Sequence, residues 1–204
     1  MNRIAAFGQD QPLSWVDRFG VWLSARQIRR WSGDVEGLRV CDVGSGYHAR
    51  LARRFALDGA KATAVDMAIS ADLRQIEGLE YVEGRLPGVL EGLATESWDL
   101  VLCISVLEHL REPGDALAHF YRMLAPGGLC LINVPSWRGK RFLEYSAFHL
   151  GLSPKAEMDD HKMYYDPKDL WPLLVRAGFF PSGIRCFKHK FGLNTFAACR
   201  KGVP

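Results

Sequence analysis

The sequence contains no apolar run long enough to span a bilayer, no internal repeat and no low-complexity segment. Residues 1–11 lack the apolar stretch of a secretory signal peptide. The chain has only five cysteines and no C-x-x-C pair, so we expect reduced thiols that are mostly buried in strands. These absences predict a cytoplasmic protein without a transmembrane segment.

A strong charge of either sign is also missing. The chain has 26 Lys and Arg against 23 Asp and Glu, which gives a net charge of +3. This balance permits a locally basic face, but no long basic run accompanies it, so we do not expect nucleic acid as the partner. Apolar residues make up 48% of the 204 residues, enough for the core of one α/β domain. We therefore predict a single domain that spans residues 1–204.

The stretch from Val40 to Ala49 has the pattern of a buried strand, a tight turn and the start of a helix. Gly44 and Gly46 would let backbone amides approach a ligand, because glycine has no Cβ. Asp42 lies at the carboxyl end of the strand, where open α/β sheets bind ligands. A second apolar run ends at Asp66, about twenty residues further on, where an acid can accept both hydroxyl groups of a ribose. The pattern predicts a site for a ribose-containing ligand that carries a cationic or polar group.

The glycine spacing leaves two kinds of ligand open. G-x-G-x-x-A also fits the dinucleotide-binding fingerprint, which is weak evidence by itself. A carboxylate at Asp42 would repel a nearby pyrophosphate, whereas S-adenosylmethionine has no phosphate and carries an ammonium and a sulfonium group. The stretch resembles motif I of the class I S-adenosylmethionine-dependent methyltransferases, and an NAD-linked oxidoreductase is the less favoured alternative.

Three further segments carry the same resemblance. Trp98-Asp99 begins an apolar strand that leads to Leu107-Glu108-His109-Leu110, Pro126-Gly127-Gly128 precedes the next strand, and residues 183–191 and 194–200 predict a closing hairpin. With motif I and Asp66 they resemble the UbiE/type-11-like methyltransferases over residues 37–200. The resemblance implies a Rossmann-like α/β fold with a seven-stranded, mostly parallel sheet, an antiparallel last strand and helices on both faces.

The resemblance also implies S-adenosylmethionine as the cofactor, together with a set of residues that hold it. The predicted cofactor-binding residues are Asp42, Gly44, Ser45, Gly46, Asp66, Met67, Arg85, Leu86, Cys103, Ile104 and Ser105. In the family, the position of Arg85 usually holds an acid that accepts the adenine amino group, and an arginine cannot accept a hydrogen bond. Arg85 could stack on the adenine instead, Glu83 could supply the acid, or the backbone near Leu86 could make the contact.

Methyl transfer from a sulfonium is an in-line displacement, so the protein mainly positions the reactants, and an oxygen nucleophile gains from a base. The candidate bases are His109 after the fourth strand and His161 after the fifth, with a purely structural role as the alternative for each. Some relatives hold a divalent ion with a Glu-x-x-Glu-His segment. Ser105 stands where the first of those glutamates would be, so we predict no metal site.

Two segments are candidates for recognition of the methyl acceptor. Residues 13–31 predict a helix with a basic face, which either packs on the sheet edge or lies over the crevice as a lid or an anionic-lipid surface. Residues 136–165 form a variable, locally basic segment on the acceptor side, in which we expect a short helix from Lys140 to Leu150.

We predict methyl transfer to a hydroxyl oxygen of a small or mid-sized acceptor. A small molecule and a lipid-linked precursor such as a glycolipid both fit, and peripheral membrane contact stays open. The alternative is a non-catalytic module that binds S-adenosylmethionine or S-adenosylhomocysteine. The sequence does not indicate the oligomeric state.

Overall fold

The computed structural model describes residues 6–8, 15–145 and 162–203. Its helices are α1 (Trp15–Ser32), α2 (Arg50–Leu57), α3 (Pro113–Met123), α4 (Trp137–Tyr145) and α5 (Pro167–Arg176). Its strands are β1 (Arg39–Val43), β2 (Lys61–Asp66), β3 (Leu79–Glu83), β4 (Trp98–Ile104), β5 (Leu124–Pro135), β6 (Ile184–His189) and β7 (Asn194–Arg200). Among the described helices, none is long and apolar enough to cross a membrane.

The strands form one sheet in the order β3-β2-β1-β4-β5-β7-β6. Neighbouring strands from β3 to β5 are parallel, while β7 runs antiparallel to both β5 and β6. The predicted seven-stranded sheet with an antiparallel last strand is confirmed. The strand order reverses between β1 and β4, and ligands of open α/β sheets bind outside the carboxyl ends of the strands at such a point.

The core lies on both faces of the sheet, which is why the central strands read as nearly continuous apolar runs. Side chains alternate along β1, so that Val40 packs in one cluster of buried residues and Cys41 in the other. One cluster holds Leu117 of α3 and Leu170 of α5. The other holds Ile28 of α1 together with Ala52 and Phe55 of α2. The prediction of helices on both faces is therefore confirmed.

Two predicted boundaries need correction. The Pro-Gly-Gly segment belongs to β5, which begins at Leu124, and the pairing with β4 jumps from Trp98–Leu124 to Leu100–Leu129. Gly127 at φ +76° permits this irregularity without ending the strand. Helix α4 begins at Trp137, three residues earlier than expected. The hydroxyl oxygen of Ser136, just before the helix, accepts the amide hydrogen of Gly139 at 3.1 Å and so stabilises this earlier start. Residues 146–161 of the predicted acceptor segment lie outside the described part of the chain.

Candidate functional site

A cavity of about 460 Å³ opens at the carboxyl edge of the sheet, beside the point where the strand order reverses. Its walls come from the turn after β1, the ends of β2 and β4, helix α1, the start of α4 and the tip between β6 and β7. The tip reaches this edge because an antiparallel hairpin that leaves from the far edge must turn here. One cavity therefore combines residues from both ends of the chain.

The glycine turn packs tightly against the segment that follows β4. A Cβ on Gly44 would lie 2.2 Å from Cγ2 of Val106, and the backbone of Gly44 has φ +72°. Both facts exclude a larger residue there. The amides of Gly44 and Ser45 donate to the carbonyl of Val65 at 2.7 and 3.1 Å. These two amides therefore tie the turn to the end of β2, so the Gly44 amide is not directed at a ligand in this structure.

Asp66 links that same turn to the end of β2. It is buried, and its Oδ2 accepts the amide hydrogen of Gly46 at 2.8 Å, while its Oδ1 accepts the amide hydrogen of Met67 at 2.7 Å. Each carboxylate oxygen has two acceptor positions, which allows one oxygen to bind an amide and a ligand hydroxyl together. Asp66 lines the cavity, where it can accept hydroxyl groups from a ligand.

Asp42 is the second buried acid of the site, at the end of β1. Its Oδ2 accepts the amide hydrogen of Ala52 at 3.3 Å, in the first turn of α2. Ala49 at the N-cap has no side-chain acceptor, so Asp42 serves as a remote cap for this helix. Burial raises the pKa of Asp42 to about 7, with the charge of Asp66 adding to the effect and the Ala52 amide opposing it. A cationic group in the cavity would favour the ionised form of this acid.

Three residues at the end of β4 were predicted to bind the cofactor, and two of them line the cavity. Ile104 and Ser105 line it, and Ser105 has φ +58° while its amide donates to the carbonyl of Asn133 at 2.8 Å. Cys103 does not line the cavity. It is fully buried and pairs with β1 on one side and β5 on the other, and burial raises the pKa of its thiol well above the usual range.

The junction after β3 also differs from the expectation. Gly84 and Leu86 line the cavity, whereas Arg85 is exposed and is not part of the lining. The carboxylate of Glu83 accepts the amide hydrogen of Ile69 at 2.8 Å and so fixes the loop after β2. Glu83 is likewise outside the lining. Leu86 lies on the cavity wall, so the backbone around it stays the candidate for the adenine contact.

Of the two candidate bases, only His109 belongs to the described part of the chain. His109 is buried at the end of the short turn Leu107–His109, lines the cavity and donates its amide to the carbonyl of Val106 at 3.0 Å. Its neighbour Glu108 also lines the cavity. His161 lies outside the described residues. Within residues 6–8, 15–145 and 162–203, no group of three His, Cys, Asp or Glu could hold a metal ion.

Sequence reasoning missed an aromatic wall on the other side of the cavity. Phe7, Phe19 of α1, Phe142 of α4 and Phe191 of the hairpin tip all line it. The antiparallel direction of the last strands was the available signal, because it returns the tip with Phe191 to the ligand edge. The other three rings arrive through tertiary packing, for which the local sequence pattern carries no signal.

Ser136 and Gly139 hold the hairpin tip against α4. The hydroxyl of Ser136 donates to the carbonyl of Gly192 at 2.7 Å, and its amide donates to the carbonyl of Leu193 at 2.9 Å. A Cβ on Gly139 would lie 2.1 Å from the carbonyl oxygen of Leu193. The tip is strained as well, since Lys190 and Phe191 have φ +48° and +59°. Strained residues of this kind cluster at functional sites, where the surrounding contacts hold them in place.

Helix α1 packs on the sheet and also borders the cavity. Ile28 is buried in the core and Trp31 stacks on Phe187 of β6, with ring centroids 6.3 Å apart, so the helix packs on the sheet. Its first half lines the cavity through Phe19, Gly20 and Ser24, among others. The same helix therefore packs against the edge of the sheet and forms part of the cavity wall, and its role as a lid stays a prediction.

The strand order and the acid-flanked glycine turn together define the Rossmann-like, class I S-adenosylmethionine-dependent methyltransferases. A family model described as a methyltransferase domain matches residues 13–180, and the chain belongs to this family. The matched region includes every predicted cofactor-binding residue.

Curated relatives and solved structures agree with this assignment. A ubiquinone biosynthesis O-methyltransferase from Bordetella avium is 32% identical over 168 residues, which are 78% of this chain and 68% of the relative. One from Pseudomonas putida strain GB-1 is 35% identical over 171 residues, 78% of this chain and 70% of the relative. The magnesium protoporphyrin IX methyltransferase of Synechocystis PCC 6803 with bound SAH has a TM-score of 0.67 at 18% identity, covering 95% of this chain and 90% of that one, which shows the shared fold. The protein is an S-adenosylmethionine-dependent methyltransferase, as predicted.

Proposed function

We propose that the protein methylates a hydroxyl oxygen of a small or mid-sized, largely apolar acceptor. The observation that carries this proposal is the composition of one cavity. Its inner end holds the buried carboxylates of Asp42 and Asp66, and its outer end holds the aromatic wall. The named activity of the curated relatives, O-methylation in ubiquinone biosynthesis, supports oxygen as the attacked atom.

The inner end fits the cofactor. Asp42 is a buried acid suited to an ammonium group, and Asp66 is a buried carboxylate on the cavity wall that can accept ribose hydroxyls. We assign Gly44, Ser45 and Gly46 to the space beside it, with Met67, Leu86, Ile104 and Ser105 as further contacts. Arg85 and Cys103 keep no direct role in this assignment, since neither lines the cavity. When bound, S-adenosylmethionine supplies an electrophilic methyl group on a positively charged sulfur.

The residues of the outer end position the acceptor. Phe19, Phe142 and Phe191 would orient an apolar molecule so that its hydroxyl oxygen faces the inner end. His109 would accept the hydroxyl proton on its imidazole ring, since it lines the same cavity and imidazole titrates near neutral pH. His161 remains the second candidate for this proton. The acceptor could also be linked to a lipid, since the apolar wall of the cavity suits a hydrocarbon chain.

We further propose that residues 1–204 act as a single domain and that the protein works in the cytoplasm, where its free cysteines stay reduced.

The test of O-methylation begins with calorimetric titration of the purified chain with S-adenosylmethionine, S-adenosylhomocysteine and NAD. Binding of both adenosyl compounds without NAD is expected. A radiolabelled-methyl assay with a panel of matched phenols, anilines and thiols then identifies the attacked atom. Transfer to nitrogen or sulfur acceptors alone, or binding without any transfer, would contradict O-methylation.

A further inference from the structure

The mouth of the cavity carries an unusual number of exposed aromatic rings. Phe7, Phe19, Phe142 and Phe191 line the cavity and still expose 45%, 49%, 51% and 80% of their surface. Trp22 exposes 53% and stacks on Phe19, with ring centroids 5.8 Å apart, although it does not line the cavity. We call these five residues the aromatic rim. Ligand binding inside the cavity does not account for Trp22 or for the outer surface of Phe191.

Basic side chains accompany the rim. The guanidinium of Arg26 lies 5.8 Å from the centroid of the Trp22 ring, and Arg18 is exposed next to Phe19. On α4, Arg141 is exposed next to Phe142. The ammonium of Lys190, beside Phe191, lies within 3.6 Å of the position that a Cβ on Gly20 would occupy, which places it against α1. The acids of the cavity, Asp42, Asp66 and Glu108, are buried behind these groups.

We propose that the aromatic rim docks the protein onto an anionic lipid surface, so that the cavity opens towards the bilayer. Trp rings prefer the boundary between headgroups and acyl chains, Phe rings bury apolar surface there, and nearby Lys and Arg side chains are attracted to anionic headgroups. An exposed apolar patch around an opening marks a contact surface in general. The lipid surface fits better than a protein partner, because a protein seated on the rim would close the cavity that the acceptor has to enter.

The strained tip supports the same conclusion. Phe191 adopts φ +59° and yet exposes 80% of its surface to solvent, so the strain does not serve packing in the core. Contacts from Ser136 and Gly139 hold the tip in this conformation. The rigid tip therefore presents a large apolar ring outward at the cavity mouth, as a surface anchor requires.

The docking proposal does not depend on methyl transfer; only the idea that a membrane delivers the acceptor rests on the proposed function. The test is co-sedimentation of the purified full chain with phosphatidylcholine vesicles and with vesicles of equal parts phosphatidylcholine and phosphatidylglycerol, at low and high salt. We expect binding to the anionic vesicles that weakens with salt. Trp22→Ser and Phe191→Ser should each lower the partition coefficient at least threefold, and the double variant at least tenfold.

Phe180→Ser is the matched control. Phe180 exposes 61% of its surface and precedes β6 at the opposite edge of the sheet, so its loss should leave vesicle binding unchanged. Thermal unfolding confirms that each variant folds. Absent binding to anionic vesicles, or equal losses for Phe180→Ser and the rim variants, would overturn the proposal. Dimerisation in gel filtration that only rim variants abolish, without vesicle binding, would also overturn it, since the rim would then be a contact between copies. Retained vesicle binding without S-adenosylhomocysteine binding would instead count against the proposed function alone.

Discussion

The amide of Gly46 donates a hydrogen bond of 2.8 Å to Oδ2 of Asp66, although the two residues belong to different strand ends. The turn after β1 and the acid after β2 are therefore one structural unit. A substitution in either residue acts on ligand contacts and on the geometry of the turn together.

Asp66→Ala should weaken binding of S-adenosylhomocysteine by about 1–3 kcal/mol, because ribose hydroxyls and the Gly46 amide lose their acceptor. Asp66→Asn keeps one acceptor oxygen and should lose less. Calorimetric titration measures both changes. Asp99→Ala is the control, since it removes an acid that pairs with Arg39 at the other end of the strands. Unchanged affinity in Asp66→Ala would disprove the ribose assignment.

Asp42 should make stability fall as pH rises from about 4 to about 7. Burial raises its pKa from 3.8 to about 7, so in this window the folded protein holds a proton that the unfolded chain has released. Asp42→Asn removes the effect while keeping an acceptor for Ala52. Urea unfolding at pH 5 and pH 8 should show the variant gaining about 1–4 kcal/mol relative to wild type at the higher pH. An identical pH response of the two proteins would contradict the assignment.

Gly44→Ala should destabilise the protein much more than Gly33→Ala. Both glycines have positive φ, +72° and +66°, but a Cβ on Gly33 meets nothing within 4 Å, whereas one on Gly44 meets Val106 at 2.2 Å. Gly33→Ala therefore reports the backbone strain alone, about 1–2 kcal/mol. Adding Val106→Ala to Gly44→Ala removes the closest contacts and should recover part of the difference. Equal unfolding free energies for the two single variants would show that the clash relaxes at no cost.

Ser105→Gly should stabilise the fold relative to Ser105→Ala. Ser105 holds φ +58° at the end of β4, where glycine has no Cβ penalty. The expected difference is about 1 kcal/mol, which differential scanning calorimetry resolves. An unfolding temperature that is lower for Ser105→Gly than for Ser105→Ala would contradict the prediction that a Cβ at this position is strained.

His109→Ala and His161→Ala distinguish the two candidate bases. The residue that removes the acceptor proton should lower kcat by about 10²–10⁴-fold while the affinity for S-adenosylhomocysteine stays near that of wild type. His119→Ala is the matched control, since that ring lies beside Arg122 of α3 and outside the cavity lining. Loss of cofactor affinity together with turnover would assign the histidine to the pocket wall, and full turnover in both variants would remove the general base from the mechanism.

The sequence allowed prediction of the inner end of the site better than its outer end. Asp42, Gly44 and Asp66 act through local chemistry, namely an acid at a strand end or a positive φ, so their residue types reveal their roles. Cys103 lies in the core although β4 ends at Ile104, because successive side chains of a strand point to opposite faces of the sheet. Phe7 and Phe19 reach the cavity only through packing of distant segments.

The position of β7 has a consequence for synthesis of the chain. This strand lies between β5 and β6 and pairs with both, although it is the last strand in the sequence. While a ribosome is still making residues 194–200, β5 therefore has an open edge and β6 has no partner in the sheet. A chain that stalls before this point leaves the edge of β5 open as a template for intermolecular strand pairing, and the pairing of β7 closes that edge.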